Sequence, residues 1–149
     1  MQSLRDIYKE LCESPEKLES RSSSACTVDI EDIFGSMRTH AEDFRVWSQL
    51  SVLAQHDLAK LKAQTEVLWA DCRARSMEQL SKDGEKSTKD RVDDLTLRDQ
   101  AYQKGLAVLH DAEKRAGLFK SVEQAMWMRK DMLQSMNARQ CKELSSIQG

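Results

Sequence analysis

The chain has 149 residues, of which 32% are charged and only 5% are aromatic, and its net charge is −2. The length suits a single domain, and so small a net charge does not by itself indicate a nucleic-acid or membrane partner. One proline and five glycines leave most of the chain able to form helix, whereas a strand-rich core usually contains more aromatic and β-branched side chains. The composition therefore predicts an all-α protein.

Residues 3–12 are predicted to form a short helix. Ser3 is a candidate N-cap, and Pro15 suits the first position of a further helical turn. Apolar side chains recur on one face of the first helix, at Leu4, Ile7, Tyr8 and Leu11. This spacing is typical of an amphipathic helix.

A polar stretch follows. Residues 20–25, SRSSSA, are small and polar without periodicity, so they predict a linker. Residues 28–34, VDIEDIF, are apolar enough to dock on another element, with Thr27 or Asp29 as candidate caps. Gly35 is expected to interrupt this segment.

The first long helix is predicted from about Thr39 to about Lys82. Thr39 and Glu42 have the spacing of a capping box. Apolar or small side chains recur at alternating steps of four and three residues: Trp47, Ser51, Ala54, Leu58, Leu61, Thr65, Leu68 and Cys72. A heptad seam this regular predicts packing against another helix.

A turn and a second long helix are predicted next. Residues 83–90, DGEKSTKD, contain a glycine and several cap-type residues, with Ser87 or Thr88 as the candidate N-cap. The second helix is predicted over residues 89–144, and its seam departs from the strict heptad near Phe119. The seam consists of Val92, Leu95, Asp99, Tyr102, Leu106 and Leu109, then Ala112, Ala116, Phe119, Val122, Met126, Arg129, Leu133 and Met136. Two long helices joined by such a turn predict an antiparallel hairpin.

Apolar side chains that need further cover predict self-association. They are Trp47, Val67, Trp69, Val108, Trp127 and Met128. A lone hairpin would leave them exposed, so we predict that it assembles into a homo-oligomeric helical bundle or ring. In domain terms, residues 1–38 are an N-terminal helical arm with its linker, and residues 39–149 are the long helical hairpin that carries oligomerisation and binding.

Charge is unevenly distributed along the chain. Residues 1–34 carry four basic and eight acidic side chains, whereas residues 114–142 carry seven basic and two acidic ones. This asymmetry indicates two different contact surfaces, or an acidic head that meets a neighbour's basic tail, although a solvated helix surface would also show it.

The cysteines and the hydropathy pattern predict a reduced, cytoplasmic protein without a membrane anchor. Cys12, Cys26, Cys72 and Cys141 form no CxxC pair, and the first residues are charged from position 5, unlike a signal peptide. No apolar run approaches the ~20 residues that a membrane span needs.

Candidate catalytic groups are scattered. His40, His56 and His110 lie far apart, and His110 and Glu113 are one pair at a spacing that suits a metal, whereas helical metal centres need several inward ligands. The turn has no phosphate-binding loop, and the four cysteines have no partner arranged for nucleophilic catalysis. We therefore predict a protein that is not an enzyme and has no cofactor and no metal.

Basic side chains surround the predicted hairpin turn and form a candidate DNA-binding surface. They are Lys60, Lys62, Arg73, Arg75, Lys82, Lys86, Lys89 and Arg91. Lysines and arginines beside helix ends can grip phosphates without reading bases. Neighbouring acidic residues dilute this surface, and Trp69 is the nearest aromatic platform for a base. Ordinary solubilising residues would give the same pattern.

Several features in a fixed order resemble the UvsY family of phage recombination mediators. The chain opens with LRDIYKEL, and a tryptophan lies near the beginning of the first long helix, followed by an AQxxxV-type stretch. A basic pair precedes the turn, and a tyrosine lies in the first third of the last helix. These features are residues 4–11, Trp47, Ala63-Gln64 with Val67, Arg73 with Arg75, and Tyr102.

The resemblance implies a small all-α protein that forms a ring-like homo-oligomer and binds single-stranded DNA. Such mediators help to load a RecA-like recombinase onto DNA covered by single-strand-binding protein. By resemblance Arg73 and Arg75 contact DNA; the other six cations are added from charge placement alone. A phage-encoded protein of this kind would act in the host cytoplasm. The chain departs from the family in having Ser76-Met77 where an aromatic doublet is expected, and in its slightly negative charge.

Two alternatives remain open. A non-catalytic coiled-coil structural, assembly or adaptor protein that contacts only other proteins would use the acidic head on a basic partner. A metal-dependent helical enzyme would need inward-facing acids, which the seams do not supply.

Overall fold

The computed structural model describes residues 3–147, which form five α-helices and no strand. They are α1 (Leu4–Glu13), α2 (Pro15–Cys26), α3 (Ile33–Lys82), α4 (Lys89–Arg98) and α5 (Gln100–Ile147). The predicted all-α class is confirmed. None of the helices in this range combines the length and the apolar character that a bilayer crossing requires.

The first helix begins as its sequence predicts, but the predicted linker is wrong. The Ser3 hydroxyl accepts from the Asp6 N–H at 3.2 Å, and the Asp6 carboxylate accepts from the Ser3 N–H at 3.3 Å, which completes a capping box. Residues 20–25 belong to α2 rather than to a linker. Serine and alanine tolerate helix, and burial of Leu18 anchors α2 to the core.

The first long helix begins at Ile33, six residues before the predicted start at Thr39. The Asp32 carboxylate accepts from the Gly35 N–H at 2.8 Å and so caps the helix. Gly35 therefore lies inside the first turn instead of interrupting the segment, and the predicted capping box of Thr39 and Glu42 is wrong. Burial of Ile33, which is 7% exposed, stabilises this earlier start.

The two residues predicted as caps before α3 act elsewhere. Thr27 is the C-cap residue of α2, and its hydroxyl donates to the Ser23 carbonyl at 2.8 Å. The Asp29 carboxylate accepts from the Glu31 N–H at 2.9 Å, so it shapes the loop that precedes α3.

The predicted turn is present, and one further break follows it. Gly84 has φ +68°, a conformation that favours glycine, and the Glu85 N–H donates to the Leu80 carbonyl at 3.0 Å. The predicted continuous helix over residues 89–144 is interrupted at Asp99. The Asp99 carboxylate accepts from the Ala101 N–H at 2.7 Å, so this residue starts α5 by capping it.

The chain divides into two compact units. Unit one contains the residues up to Leu53 and those from Gly117 onward. In it α3 and α5 run antiparallel: the Phe44 and Trp127 ring centroids are 4.9 Å apart, and the Trp47 and Phe119 centroids are 6.3 Å apart. Its largest fully buried side chains are Phe119, Leu11, Leu50, Met126 and Leu133.

Unit two contains residues 54–116 and is also an antiparallel arrangement of α3 with α4 and α5. The Trp69 and Tyr102 ring centroids lie 4.9 Å apart, and Thr96 Oγ1 donates to Ser76 Oγ at 3.3 Å. Its fully buried side chains are smaller: Val92, Thr96 and Cys72. The predicted division into residues 1–38 and 39–149 stays a prediction.

The predicted seams face inward, and most of the predicted exposed apolar residues are exposed. Ala54 and Cys72 on α3 are 3% and 0% exposed, and Phe119 is fully buried where the heptad slips. Exposure of 50–74% is found for Val67, Val108, Trp127 and Met128. Trp47, in contrast, is buried at 4% exposure, so it needs no further cover.

Candidate nucleic-acid interface

All eight predicted DNA-binding cations lie in unit two. Lys60, Lys62, Arg73, Arg75 and Lys82 are on α3, Lys86 is in the turn, and Lys89 and Arg91 are on α4. Arg73 is half-buried, whereas the other seven are exposed. The structure therefore leaves these side chains reachable from solvent.

Five of the eight cations are held by carboxylates of the same unit. The pairs are Lys62–Glu113 (3.6 Å), Arg73–Asp93 (2.9 Å), Arg75–Asp99 (3.5 Å), Lys82–Glu78 (2.7 Å) and Arg91–Glu85. Among residues 3–147, Lys60, Lys86 and Lys89 form no ion pair. Unit two has twelve basic and twelve acidic side chains, so its net charge is zero.

One open groove is lined by an aromatic ring and by two of these cations. Trp69, Arg73 and Lys89 line it together with Met77 and Asp93, and its volume is about 500 Å³. An indole face can stack on a base, and the neighbouring guanidinium and ammonium groups can meet the backbone phosphates. The sequence had indicated Trp69 only as the nearest aromatic to the basic cluster.

Trp69 also lines a second open groove, of about 450 Å³. Lys62 and Tyr102 line this groove as well, with Leu97 and Leu106 among its apolar residues. The Trp69 and Tyr102 rings are inclined by 58°. Charge placement alone did not identify Tyr102 as a groove residue. The sequence feature that could have identified it is an aromatic side chain at a seam position of the helix that pairs with α3.

The arginine pair carried over from the resemblance is divided between two environments. Arg73 lines the first groove, whereas Arg75 does not, because residues two apart on a helix do not face the same direction. The Arg75 guanidinium donates to Cys72 Sγ at 3.0 Å and lies 3.5 Å from Asp99. Among the predicted cations, Arg73 and Lys89 share the first groove, and Lys62 lines the second.

Asp99 stays ionised beside Arg75. Partial burial raises the pKa of Asp99, but the N–H groups of Tyr102 and Ala101 and the positive charge of Arg75 lower it. The net result is a pKa below the ordinary value of this carboxyl group. Asp99 is therefore negatively charged and attracts the Arg75 guanidinium throughout the neutral pH range.

Unit one contains a buried arginine that the sequence had placed on the inward seam. Arg129 is 6% exposed; its guanidinium lies 3.3 Å from the Asp43 carboxylate and 3.4 Å from His40 Nδ1. Burial, followed by the charge of Arg129, lowers the pKa of His40. This cluster neutralises a buried charge within the core of unit one.

Over the part of the chain that the structure describes, no three His, Cys, Asp or Glu side chains lie together as metal ligands would. Glu113, the carboxylate of the one pair with metal-like spacing, lies 3.6 Å from the Lys62 ammonium. A comparison of the chain with protein-family models, curated proteins and solved structures gives no match.

Proposed function

We propose that the protein binds single-stranded DNA without catalysis, as a homo-oligomeric recombination mediator. In this role it would help to load a RecA-like recombinase onto DNA covered by single-strand-binding protein. The observation that carries the proposal is the groove in which Trp69, Arg73 and Lys89 line one open surface. Sequence-tolerant binding of single strands combines stacking platforms with cations in this way.

The electrostatics of unit two favour weak, salt-sensitive binding. Asp93 lies in the same groove as Arg73 and Lys89, so a phosphate there meets two positive charges and one negative charge. Stacking of one base on an aromatic side chain contributes about 1–3 kcal/mol, and each neutralised phosphate adds about 0.7 to the slope of log affinity against log salt. Binding should therefore depend on Trp69 as much as on charge.

Exposed apolar side chains support self-association. Met128 is 74% and Trp127 51% exposed on α5, and Val67 is 62% exposed on α3. A second copy of the chain could cover exposed apolar side chains of this size. The acidic residues 1–34 and the basic residues 114–142 offer opposite charges for two copies.

The DNA-binding part is tested with a fluorescent oligothymidylate titrated with protein at several salt concentrations. Trp69→Leu, which keeps an apolar contact but removes the stacking ring, should weaken binding by about 1–3 kcal/mol. The double variant Arg73→Ala, Lys89→Ala should lower the slope of log affinity against log salt by about 1.4, because two phosphate contacts are lost. Lys104→Ala is the matched control, because Lys104 is exposed and lines neither groove.

Absence of binding at low salt, or binding that ignores salt and the groove variants, would contradict this proposal. The mediator role has its own measurement: DNA-dependent ATP hydrolysis by a RecA-like recombinase on strands coated with single-strand-binding protein. The wild-type protein should shorten the lag of that reaction, and the Arg73→Ala, Lys89→Ala double variant should not.

A second candidate function is a helical adaptor that contacts only proteins. The neutral charge of unit two and its five ion-paired cations favour this alternative. If the protein is such an adaptor, the groove variants should behave like wild type in every DNA assay. Replacement of Trp127 and Met128 by polar residues should reduce the mass of the assembly in light scattering.

A further inference from the structure

Two arginines of α3 are held by one carboxylate of α4 and by one at the break between α4 and α5. Arg73 Nε lies 2.9 Å from Asp93 Oδ1, and Arg75 Nη2 lies 3.5 Å from Asp99 Oδ2. The acidic partners are 30% and 22% exposed, less than the arginines that they hold. A guanidinium donates to phosphate oxygens through the same N–H groups with which it donates to a carboxylate, so the two anions compete for one arginine.

Helix α4, which carries Asp93, is separated from its neighbours along the chain. The turn at Gly84 precedes α4, and the break at Asp99 separates it from α5. Only Val92 and Thr96 of this ten-residue helix are buried. Burial of Val92 and Thr96 holds α4 in unit two, whereas the Asp93 carboxylate on the same helix is 30% exposed and so stays within reach of a ligand.

We propose that Asp93 and Asp99 act as built-in competitors of phosphate, so that nucleic acid binds by taking Arg73 and Arg75 from them. This inference rests on the proposed function and concerns its regulation. Asp93 lines the groove with Arg73 and Lys89, so after the exchange its charge still faces the incoming backbone. The carboxylates therefore lower affinity twice, by occupying an arginine and by repelling the ligand.

Isosteric amides test this competition directly. Asp93→Asn and Asp99→Asn remove the charge and keep the shape, and asparagine at position 99 can still cap α5. Each change should tighten binding of an oligothymidylate about two- to fivefold at low salt, the range expected for a partly exposed ion pair. The double variant should combine both gains, and the gains should vanish when Arg73 and Arg75 are both replaced by alanine.

Asp94→Asn is the matched control. Asp94 is the neighbour of Asp93, is exposed, pairs at 3.0 Å with Arg98 of its own helix, and does not line the groove. It loses the same charge, so any general effect of net charge on DNA binding appears in this variant. Tightening by Asp93→Asn and Asp99→Asn that is no greater than the tightening by Asp94→Asn would overturn the competition, while wild-type binding would leave the proposed function standing.

A measurement without DNA distinguishes failure of the competition from failure of the proposed function. A double-mutant cycle of Arg73→Ala with Asp93→Asn in urea unfolding reports whether the pair interacts in solution. No coupling would overturn the competition whatever the DNA result. Clear coupling, together with no oligonucleotide binding by the wild type or by the Asp93→Asn, Asp99→Asn variant, would instead reject the proposed function and the competition with it.

Discussion

The two units of this protein bury different kinds of side chain, although both are built from α3 and α5. Unit one buries large residues: Phe119, Leu50, Met126 and Leu133 have almost no exposure. The rings of Tyr8 and Trp47 both pack against the Phe119 ring. Unit two buries Leu80 and the smaller residues Cys72, Val92 and Thr96, and ion pairs link its helices. Burial of apolar area is the main stabilising contribution, so we expect unit one to dominate stability.

The same contrast separates stability from binding. The small core of unit two leaves Trp69 half-exposed, and its ion pairs can exchange partners because their side chains reach solvent. In unit one, the corresponding arginine is enclosed: Arg129 is 6% exposed. Charged groups are thus available to a ligand in the unit whose fully buried side chains are smaller.

The largest effect is expected from Phe119→Ala. Truncation of a buried phenylalanine costs about 3–5 kcal/mol of unfolding free energy, through lost burial and the cavity left behind. The matching variant in unit two is Cys72→Ala, which removes one buried sulfur atom. It should lower the unfolding free energy by about 1 kcal/mol, the contribution of one small buried group. Urea denaturation followed by circular dichroism gives both values, and equal losses would remove the contrast between the units.

A smaller effect is expected from Asp43→Asn in unit one. The change leaves the buried guanidinium of Arg129 without its carboxylate, which should cost about 1–3 kcal/mol. Asp94→Asn in unit two breaks an exposed pair within one helix and should cost about 0–1 kcal/mol. If the two variants unfold at the same urea concentration, the ion pairs of the two units are equivalent.

Two helix-interior glycines give a matched pair of stabilising tests. At Gly117 in unit one a β-carbon would meet nothing within 4 Å, so Gly117→Ala should gain about 1 kcal/mol from helix propensity. At Gly105 in unit two it would lie 2.5 Å from Leu68 Cδ2. Leu68 would have to leave its rotamer at a cost of about 0.5–1.5 kcal/mol, so Gly105→Ala should be close to neutral in thermal unfolding.

The smallest effect concerns pH. The pKa of His40 is lowered from 6.5 in the folded protein. As pH falls through that ordinary value, the unfolded chain takes up a proton that the folded protein resists, so stability decreases toward the lower folded pKa. Melting from about pH 7.5 to about pH 5.5 should show a steeper loss for wild type than for His40→Gln. His56→Gln, at an exposed residue, should keep the wild-type slope.

Periodicity within the sequence was enough to predict the first helix, the two long helical segments and their inward faces. Apolar residues at heptad spacing identify which stripe is buried, as at Ala54, Cys72 and Phe119, since that stripe follows from the helical repeat alone. Local chemistry also located the Ser3 cap and the Gly84 turn. Here each feature depends only on residues within a few positions of one another.

Tertiary packing decided the features that join distant residues. Residues 20–25 are helical because α2 is anchored through Leu18, and α3 starts early where Ile33 is buried. The chain breaks at Asp99, whose carboxylate caps α5 and meets Arg75. Which carboxylate holds which arginine, and that Trp69, Arg73 and Lys89 share one groove, follows from how α4 packs against α3, and no repeat within a single helix encodes that placement.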